Sequence, residues 1–198
     1  MIQFQNIPGA TPLDPNEIEG LTPSDISTQQ QLNQAEQQNI IRGEVWAFER
    51  NHKDILSEVF LKRLHVKMFG DVWRWAGKFR KTNKNIGVDW HQLPTELRKL
   101  FDDSKFWIEN ETYEWLELGA RFHHRLVSIH PFPNGNGRLS RMMTDLVLHQ
   151  HKQNRFTWGN RPDSGKIDSV GPLRERYITA LREADQRKFK ALMTFVVS

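Results

Sequence analysis

The stretch that decides the fold is residues 130–141, which reads His130-Pro131-Phe132-Pro133-Asn134-Gly135-Asn136-Gly137-Arg138-Leu139-Ser140-Arg141. Its two prolines predict an extended loop after a helix that ends near Ser128. Gly135 and Gly137 permit positive φ angles and a close approach of the backbone to a ligand. Because a helix is predicted directly afterwards, its free N–H groups and its dipole face the loop. This layout is typical of a phosphate-binding site.

Three side chains of the same stretch suit phosphate chemistry. Arg138 and Arg141 lie three residues apart at the start of the predicted helix and therefore share a face beside the loop. Guanidinium groups give bidentate contacts to phosphate, and a bound phosphate would offset the cost of arginine near a helix N-terminus. His130 is the group of the loop that can accept a proton near pH 7. The spacing Gly-x4-Gly-Lys-Ser/Thr is absent, so the site is not a P-loop.

Composition indicates a globular chain of one domain, or two small ones at most. The 198 residues are 37% hydrophobic and 26% charged, and no apolar run reaches the ~20 residues of a membrane span. The first residues lack the pattern of a secretory signal, so we expect a cytoplasmic location. The absence of cysteine excludes a disulfide scaffold, a cysteine nucleophile and a thiolate metal site. The net charge of +4 suits an anionic ligand, but acids and bases alternate, so direct nucleic-acid binding is not expected.

Hydrophobic periodicity predicts a mainly α fold with one small β-hairpin. Phe79, Ile86 and Val88 flank a polar turn, which favours a hairpin or an extended flap. The turn-rich residues 1–34 are predicted to form an N-terminal arm, and residues 35–198 the body. Helices are predicted over residues 16–19, 34–51, 54–75 with a break near Gly70, 94–108, 113–128, 138–150, 173–184 and 189–195.

The stretch 130–141 resembles the signature of the Fic family, H-x-F-x-[DE]-G-N-G-R-x-x-R, at every fixed position except Asn134. The resemblance covers roughly residues 35–195. It includes Trp75-Ala76-Gly77-Lys78-Phe79-Arg80 and Ile86-Gly87-Val88, which are similar to the family's lead-in to its flap hairpin, and a C-terminal helix around Tyr177. It implies a Fic-type helical bundle with a small β-hairpin flap beside the active-site loop. The Pro-Asn-Gly-Asn-Gly variant also resembles a bacterial subgroup catalogued as mobile mystery protein B, associated with mobile elements.

The resemblance implies a protein adenylyltransferase, which transfers AMP from ATP to a hydroxyl side chain of a target protein. By this similarity His130 would be the general base. Arg138 would contact the nucleotide phosphates, and Arg141 would hold the terminal phosphate. The α- and β-phosphates would receive hydrogen bonds from Gly135, Asn136 and Gly137. An extended segment of the target would pair with the flap by β-augmentation. The flap residues are Lys84, Asn85, Ile86, Gly87 and Val88.

Asn134 departs from the family pattern. The usual acid holds the Mg²⁺ that bridges the phosphates, and an amide oxygen would be a weaker ligand, with the cation carried by ATP. This departure leaves two alternatives to AMP transfer open. One is a phosphotransferase of the same fold that uses a reoriented nucleotide. The other is a non-catalytic partner of a mobile-element regulator, such as a helix-turn-helix protein encoded nearby.

The resemblance also implies a regulatory segment. Ile18-Glu19-Gly20 is similar to the end of the family's inhibitory motif [ST]-x-x-x-E-[GN], with Pro15 in place of the Ser or Thr. Glu19 would then form a salt bridge with Arg141 in a resting, toxin-like enzyme. The alternative is that Glu19 is a solvated acid on a short helix.

Overall fold

The computed structural model describes residues 11–160 and 167–198, and these residues form eight α-helices. The predicted mainly helical fold is confirmed. Each predicted helix is present with shifted ends, except that the residues after Gly70 form turns and not a second helical piece. Among the described residues, no helix combines the length and the apolarity that crossing a bilayer requires. The helices are Pro15–Ile18 (α1), Gln29–Phe48 (α2), Glu58–Phe69 (α3), Leu93–Glu109 (α4), Trp115–Ile129 (α5), Asn136–Gln150 (α6), Pro172–Asp185 (α7) and Lys190–Val196 (α8).

Side-chain caps set where two of the helices begin. The Thr28 hydroxyl accepts a hydrogen bond from the Gln31 backbone N–H, and the Gln31 side chain accepts one from Thr28 in return. The Ser57 hydroxyl caps α3 by accepting a hydrogen bond from the Phe60 backbone N–H. The polar first turns of α2 carry no apolar stripe, which explains why periodicity predicted a start at residue 34 rather than 29. The helix therefore crosses the predicted boundary between arm and body, and that division stays a prediction.

Two hydrophobic clusters hold the helices together. The larger cluster contains residues of all five helices from α2 through α6. The smaller cluster packs α7 and α8 against Ala120 of α5 and against Trp158. Helices α5 and α6 are central, because α5 contacts α4, α6 and α8 while α6 contacts α2 and α3. The connection between α5 and α6 is the loop of residues 130–135, so the signature stretch lies at the centre of the fold.

The prediction of a β-hairpin flap is wrong. Within the part of the chain that the structure describes, strand-type pairing is limited to one isolated bridge between Leu21 and Trp73. The segment after Phe79 is instead an irregular loop around the buried guanidinium of Arg80, which donates to the carbonyl groups of Thr82 and Val88. A hairpin would offer such carbonyl groups to backbone N–H groups of the opposite strand. Side-chain hydrogen bonds from Arg80 thus replace the backbone hydrogen bonds that a hairpin would form.

Candidate active site

The loop between α5 and α6 is bounded by two residues with left-handed backbone. His130 ends α5 at φ 55°, and Gly135 precedes α6 at φ 79°. A Cβ atom on Gly135 would lie 2.6 Å from the Phe69 ring, so this position needs glycine for its conformation and for its space. Gly137 differs from the expectation, because it has no positive φ and lies within α6. A Cβ atom at this position would be in ordinary contact with Arg141, 3.7 Å from its Nη1 atom.

Phe132 and Asn136 fix the shape of the loop. Phe132 is fully buried, and its ring stacks on His65 with a centroid distance of 3.9 Å. The Asn136 side chain accepts from the Phe132 backbone N–H at 2.9 Å and donates to its carbonyl at 2.8 Å. The amide of Asn136 is therefore occupied inside the loop, and its backbone N–H is the donor that remains for a phosphate.

His65 supports the loop through hydrogen bonds and ring packing, and sequence reasoning missed it. Its Nδ1 accepts from the Gly77 N–H at 3.0 Å, and its Nε2 donates to the Asn134 carbonyl at 3.2 Å. These two partners require a neutral imidazole with the proton on Nε2. Burial lowers the pKa of His65 from 6.5 to about 3, which agrees with that assignment. The one signal in the sequence is a histidine on the apolar face of α3.

His130 is buried with its Nε2 atom 2.9 Å from the hydroxyl oxygen of Thr11. Burial, together with the charges of Arg80 and Lys84, lowers the pKa of His130 from 6.5 to about 4, although the Val127 carbonyl acts in the opposite direction. The Arg80 Nε–H also donates to the His130 carbonyl at 2.7 Å and so fixes its backbone. At neutral pH the ring is uncharged and able to accept a proton.

The two arginines of the stretch are each paired with a carboxylate that sequence reasoning missed. Arg138 Nη1 lies 2.7 Å from Glu36 Oε2, and Arg141 Nη2 lies 2.8 Å from both carboxylate oxygens of Asp168. Burial lowers the pKa of each guanidinium, but the neighbouring carboxylates outweigh it and raise both values. The other oxygen of Glu36 accepts from Trp73 Nε1 at 2.7 Å. Both arginines therefore lie near the start of α6 as charged side chains, and each is held by an ion pair with a carboxylate.

Comparison with known proteins agrees with this geometry. The sequence model of the Fic/DOC family matches residues 55–148. Residues 55–148 are thus similar to the Fic/DOC family domain. It is 26% identical over 153 residues to a probable protein adenylyltransferase of Aquifex aeolicus, a match over 72% of this chain and 42% of that protein. It is 34% identical over 100 residues to the protein adenylyltransferase Fic of Drosophila grimshawi, a match over 48% of this chain and 20% of that protein. The chain thus spans less than half the length of these two relatives.

Solved structures share the fold of the Fic domain. The N-terminal Fic domain of a putative cell filamentation protein from Bartonella quintana gives a TM-score of 0.68 at 19% identity, over 91% of this chain and 92% of that one. The BepC protein from Bartonella tribocorum, solved with bound AMPPNP, gives 0.67 at 17% identity, over 91% and 95%. The likeness extends well beyond residues 55–148 and includes the helices on both sides of the loop.

The loop between α5 and α6 offers few ligands to a metal ion. The Asn134 side-chain oxygen accepts from the Gly135 N–H at 2.6 Å and lies 3.5 Å from Arg138 Nη2. Among the described residues, no group of three or more His, Cys, Asp or Glu side chains could hold a cation. A single neutral oxygen fits Mg²⁺ as one ligand, provided that nucleotide phosphates supply the others.

The structure does not bring Glu19 to Arg141. Glu19 follows α1 and is exposed, its carbonyl accepts from Arg74, and Arg141 pairs with Asp168 instead. Within residues 11–160 and 167–198 the Glu19 carboxylate forms no ion pair. The expected resting salt bridge is therefore absent, because α1 docks beside Trp75, whose Nε1 donates to the Glu17 carbonyl at 3.0 Å.

The predicted flap residues do lie beside the candidate site, although they do not form a strand. The Val88 N–H contacts the Ile129 carbonyl at 3.4 Å, and a Cβ atom on Gly87 would lie 3.0 Å from the Cβ of His130. Gly87 has φ 118°, so its backbone also requires glycine. Lys84 is almost completely covered by Asp14 and Glu17. Asn85 and Ile86 lie between these contacts along the chain.

Proposed function

We propose that this chain is a protein adenylyltransferase, which carries out AMPylation by transferring AMP from ATP to a hydroxyl side chain of a target protein. The observation that carries the proposal is the neutral His130 in the loop that precedes α6, with its Nε2 at hydrogen-bond distance from the hydroxyl group of Thr11. The relatives named protein adenylyltransferase support the same reaction. They also favour AMP transfer over the alternative of a phosphotransferase with a reoriented nucleotide.

His130 acts in this reaction as the general base. Nε2 takes the proton of the target hydroxyl while its oxygen attacks the α-phosphorus, and pyrophosphate leaves. The ring needs no deprotonation at neutral pH, because its pKa is about 4. Its backbone is fixed by Arg80, so Nε2 keeps one position relative to the loop. General base catalysis of this type contributes roughly 10²- to 10⁴-fold in rate.

The start of α6 stabilises the charge that develops on the phosphates. The first backbone hydrogen bond at this end runs from the Leu139 N–H to the Gly135 carbonyl, so the N–H groups of Asn136, Gly137 and Arg138 come before it. They point towards the loop together with the positive end of the helix dipole. In this role the backbone of the Gly-Asn-Gly run, and not the Asn136 side chain, holds the α- and β-phosphates.

Binding of ATP requires an exchange of partners at the two arginines. The phosphates replace Glu36 at Arg138 and Asp168 at Arg141, since both guanidinium groups are held by these carboxylates. Mg²⁺ would arrive with the nucleotide, neutralise part of the phosphate charge and find one protein ligand in the Asn134 side chain. The BepC structure with AMPPNP supports nucleotide binding by this fold.

The partner in this proposal is a protein that presents a Ser, Thr or Tyr hydroxyl. It docks along residues 84–88, which lie directly beside His130. We retain three further elements of the proposal on the strength of the Pro-Asn-Gly-Asn-Gly sequence: membership of the mobile mystery protein B subgroup, a toxin-like role in the cytoplasm, and a helix-turn-helix regulator encoded nearby.

The test uses ATP labelled separately at the α- and γ-phosphates. Incubation with a cell lysate should attach the α-label to protein and leave the γ-label in pyrophosphate. His130→Ala should reduce α-labelling by about 10²-fold or more. His149→Ala is the matched control, because His149 is an exposed histidine at the far end of α6. Transfer of the γ-label would indicate phosphotransfer, and full α-labelling by His130→Ala would disprove the role of the base.

A further inference from the structure

Thr11 occupies the position in which a substrate hydroxyl should lie. Its Oγ1 atom is 2.9 Å from His130 Nε2, although the two residues are 119 positions apart in the sequence. Both are buried, with 8% of Thr11 and 7% of His130 exposed. With the ring proton on Nδ1, the Nε2 lone pair faces the Thr11 hydroxyl. A hydroxyl that donates to an unprotonated imidazole has the geometry of an activated nucleophile.

The segment that follows Thr11 is fastened to the loop that a target protein would use. Lys84 lies 2.7 Å from Asp14 and 2.7 Å from Glu17, and its side chain is only 4% exposed. The Thr82 hydroxyl donates to the same Asp14 carboxylate at 3.2 Å. These contacts hold residues 11–17 across residues 82–84, directly beside His130. The arm therefore lies where an extended target segment would have to lie.

We propose that Thr11 is an acceptor of this chain's own reaction and that it is adenylylated in cis. The proposal rests on the proposed adenylyltransferase activity and names one substrate of the same site. The bond that forms joins Thr11 Oγ1 to the α-phosphorus of ATP. The bond that breaks joins the α-phosphorus to the oxygen of the β-phosphate, and pyrophosphate leaves. The hydroxyl proton passes to His130 Nε2 and then to solvent.

The cis reaction follows from how the acceptor is held. An intramolecular acceptor in contact with the base gains a large effective concentration over a free one. The Lys84 contacts fix the arm at one register, which brings Thr11 rather than another hydroxyl to Nε2. Thr22 is the matched comparison, since it belongs to the same arm and is exposed to solvent.

The experiment uses the full chain with α-labelled ATP, without lysate, followed by mass spectrometry of the labelled peptide. AMP should be found on Thr11. Thr11→Val should lose this label, Thr11→Ser should retain it, and Thr22→Val should label as the unmodified chain does. Thr11→Val is close in shape to threonine, so it should fold, and its folding is checked by circular dichroism.

Two further measurements separate cis from trans transfer. The labelling rate constant should not change with protein concentration. A mixture of Thr11→Val with His130→Ala should remain unlabelled, because the first protein lacks the acceptor and the second lacks the base. Labelling in the mixture would overturn the cis assignment.

A parallel incubation with lysate distinguishes the two proposals. If lysate proteins take the α-label while Thr11 does not, the activity stands and the inference about Thr11 is wrong. If neither takes it, both fail. Label on another residue of the chain would also overturn the assignment to Thr11.

Discussion

Lowering the pH from 7 to 5 is expected to destabilise the fold through His65. This imidazole is completely buried, accepts from the Gly77 N–H and donates to the Asn134 carbonyl, so it must stay neutral in the folded chain. Burial lowers its pKa from 6.5 to about 3. As the pH falls below 6.5 the unfolded chain therefore binds a proton at this residue before the folded chain does. By linkage, the free energy of unfolding decreases over this range.

The size of the effect follows from the two pKa values. Between pH 7 and pH 5, His65 alone should reduce the free energy of unfolding by about 2 kcal/mol. His123 is equally buried, its pKa is also lowered to about 3, and it should add about 2 kcal/mol. Asp145 has the opposite effect, because burial raises its pKa to about 6 and the folded chain therefore binds this proton first. Between pH 7 and pH 5 it should increase the free energy of unfolding by about 1 kcal/mol.

Urea denaturation followed by tryptophan fluorescence at pH 7 and pH 5 tests the contribution of His65. In His65→Gln the side-chain amide can keep one donor and one acceptor but does not titrate. The loss of stability between the two pH values should be about 2 kcal/mol smaller in this variant than in the unmodified chain. His149→Gln changes an exposed histidine and should keep the original pH dependence. Equal losses in His65→Gln and the unmodified chain would refute the reasoning.

Two more predictions concern the nucleotide. Glu36→Gln removes the charge that holds Arg138 and should lower the Kd for ATP by about tenfold, or about 1.4 kcal/mol, measured by calorimetry; an unchanged Kd would contradict the exchange of partners. Asn134→Asp adds a carboxylate to the loop. At fixed ATP, this variant should reach its half-maximal rate of AMP transfer at a lower Mg²⁺ concentration than the unmodified chain does. Identical Mg²⁺ titrations would mean that residue 134 does not face the cation.

Sequence reasoning succeeded where the signal is local. The apolar stripes of α5 and α6 predicted both helices with ends displaced by at most two residues, and the signature predicted the loop between them. The prediction of the hairpin flap failed because residues 79–88 place apolar residues on both sides of a polar turn, as a hairpin does, whereas one side chain decides their structure. A buried arginine that binds four carbonyl groups, including that of Ile129, leaves no periodic pattern in the sequence.

The candidate site shows the same division. His130 and the two arginines belong to one continuous motif, so their proximity could be predicted. Glu36 contacts Arg138 across 102 positions and Thr11 contacts His130 across 119, and neither pairing has a local signature. Glu19 was assigned to Arg141 by resemblance of three residues, but the docking of α1 beside Trp75 depends on tertiary packing that those residues do not encode.

The pairing of both arginines with carboxylates has a consequence for how ATP arrives. The pairs Arg138–Glu36 and Arg141–Asp168 each combine one positive and one negative side chain, so the two pairs add little net charge to the site. Long-range attraction of an anion depends on net potential, and it weakens as ionic strength rises. These two pairs should therefore add little to the long-range attraction of the nucleotide. Selection for ATP then takes place after contact, when the triphosphate displaces both carboxylates.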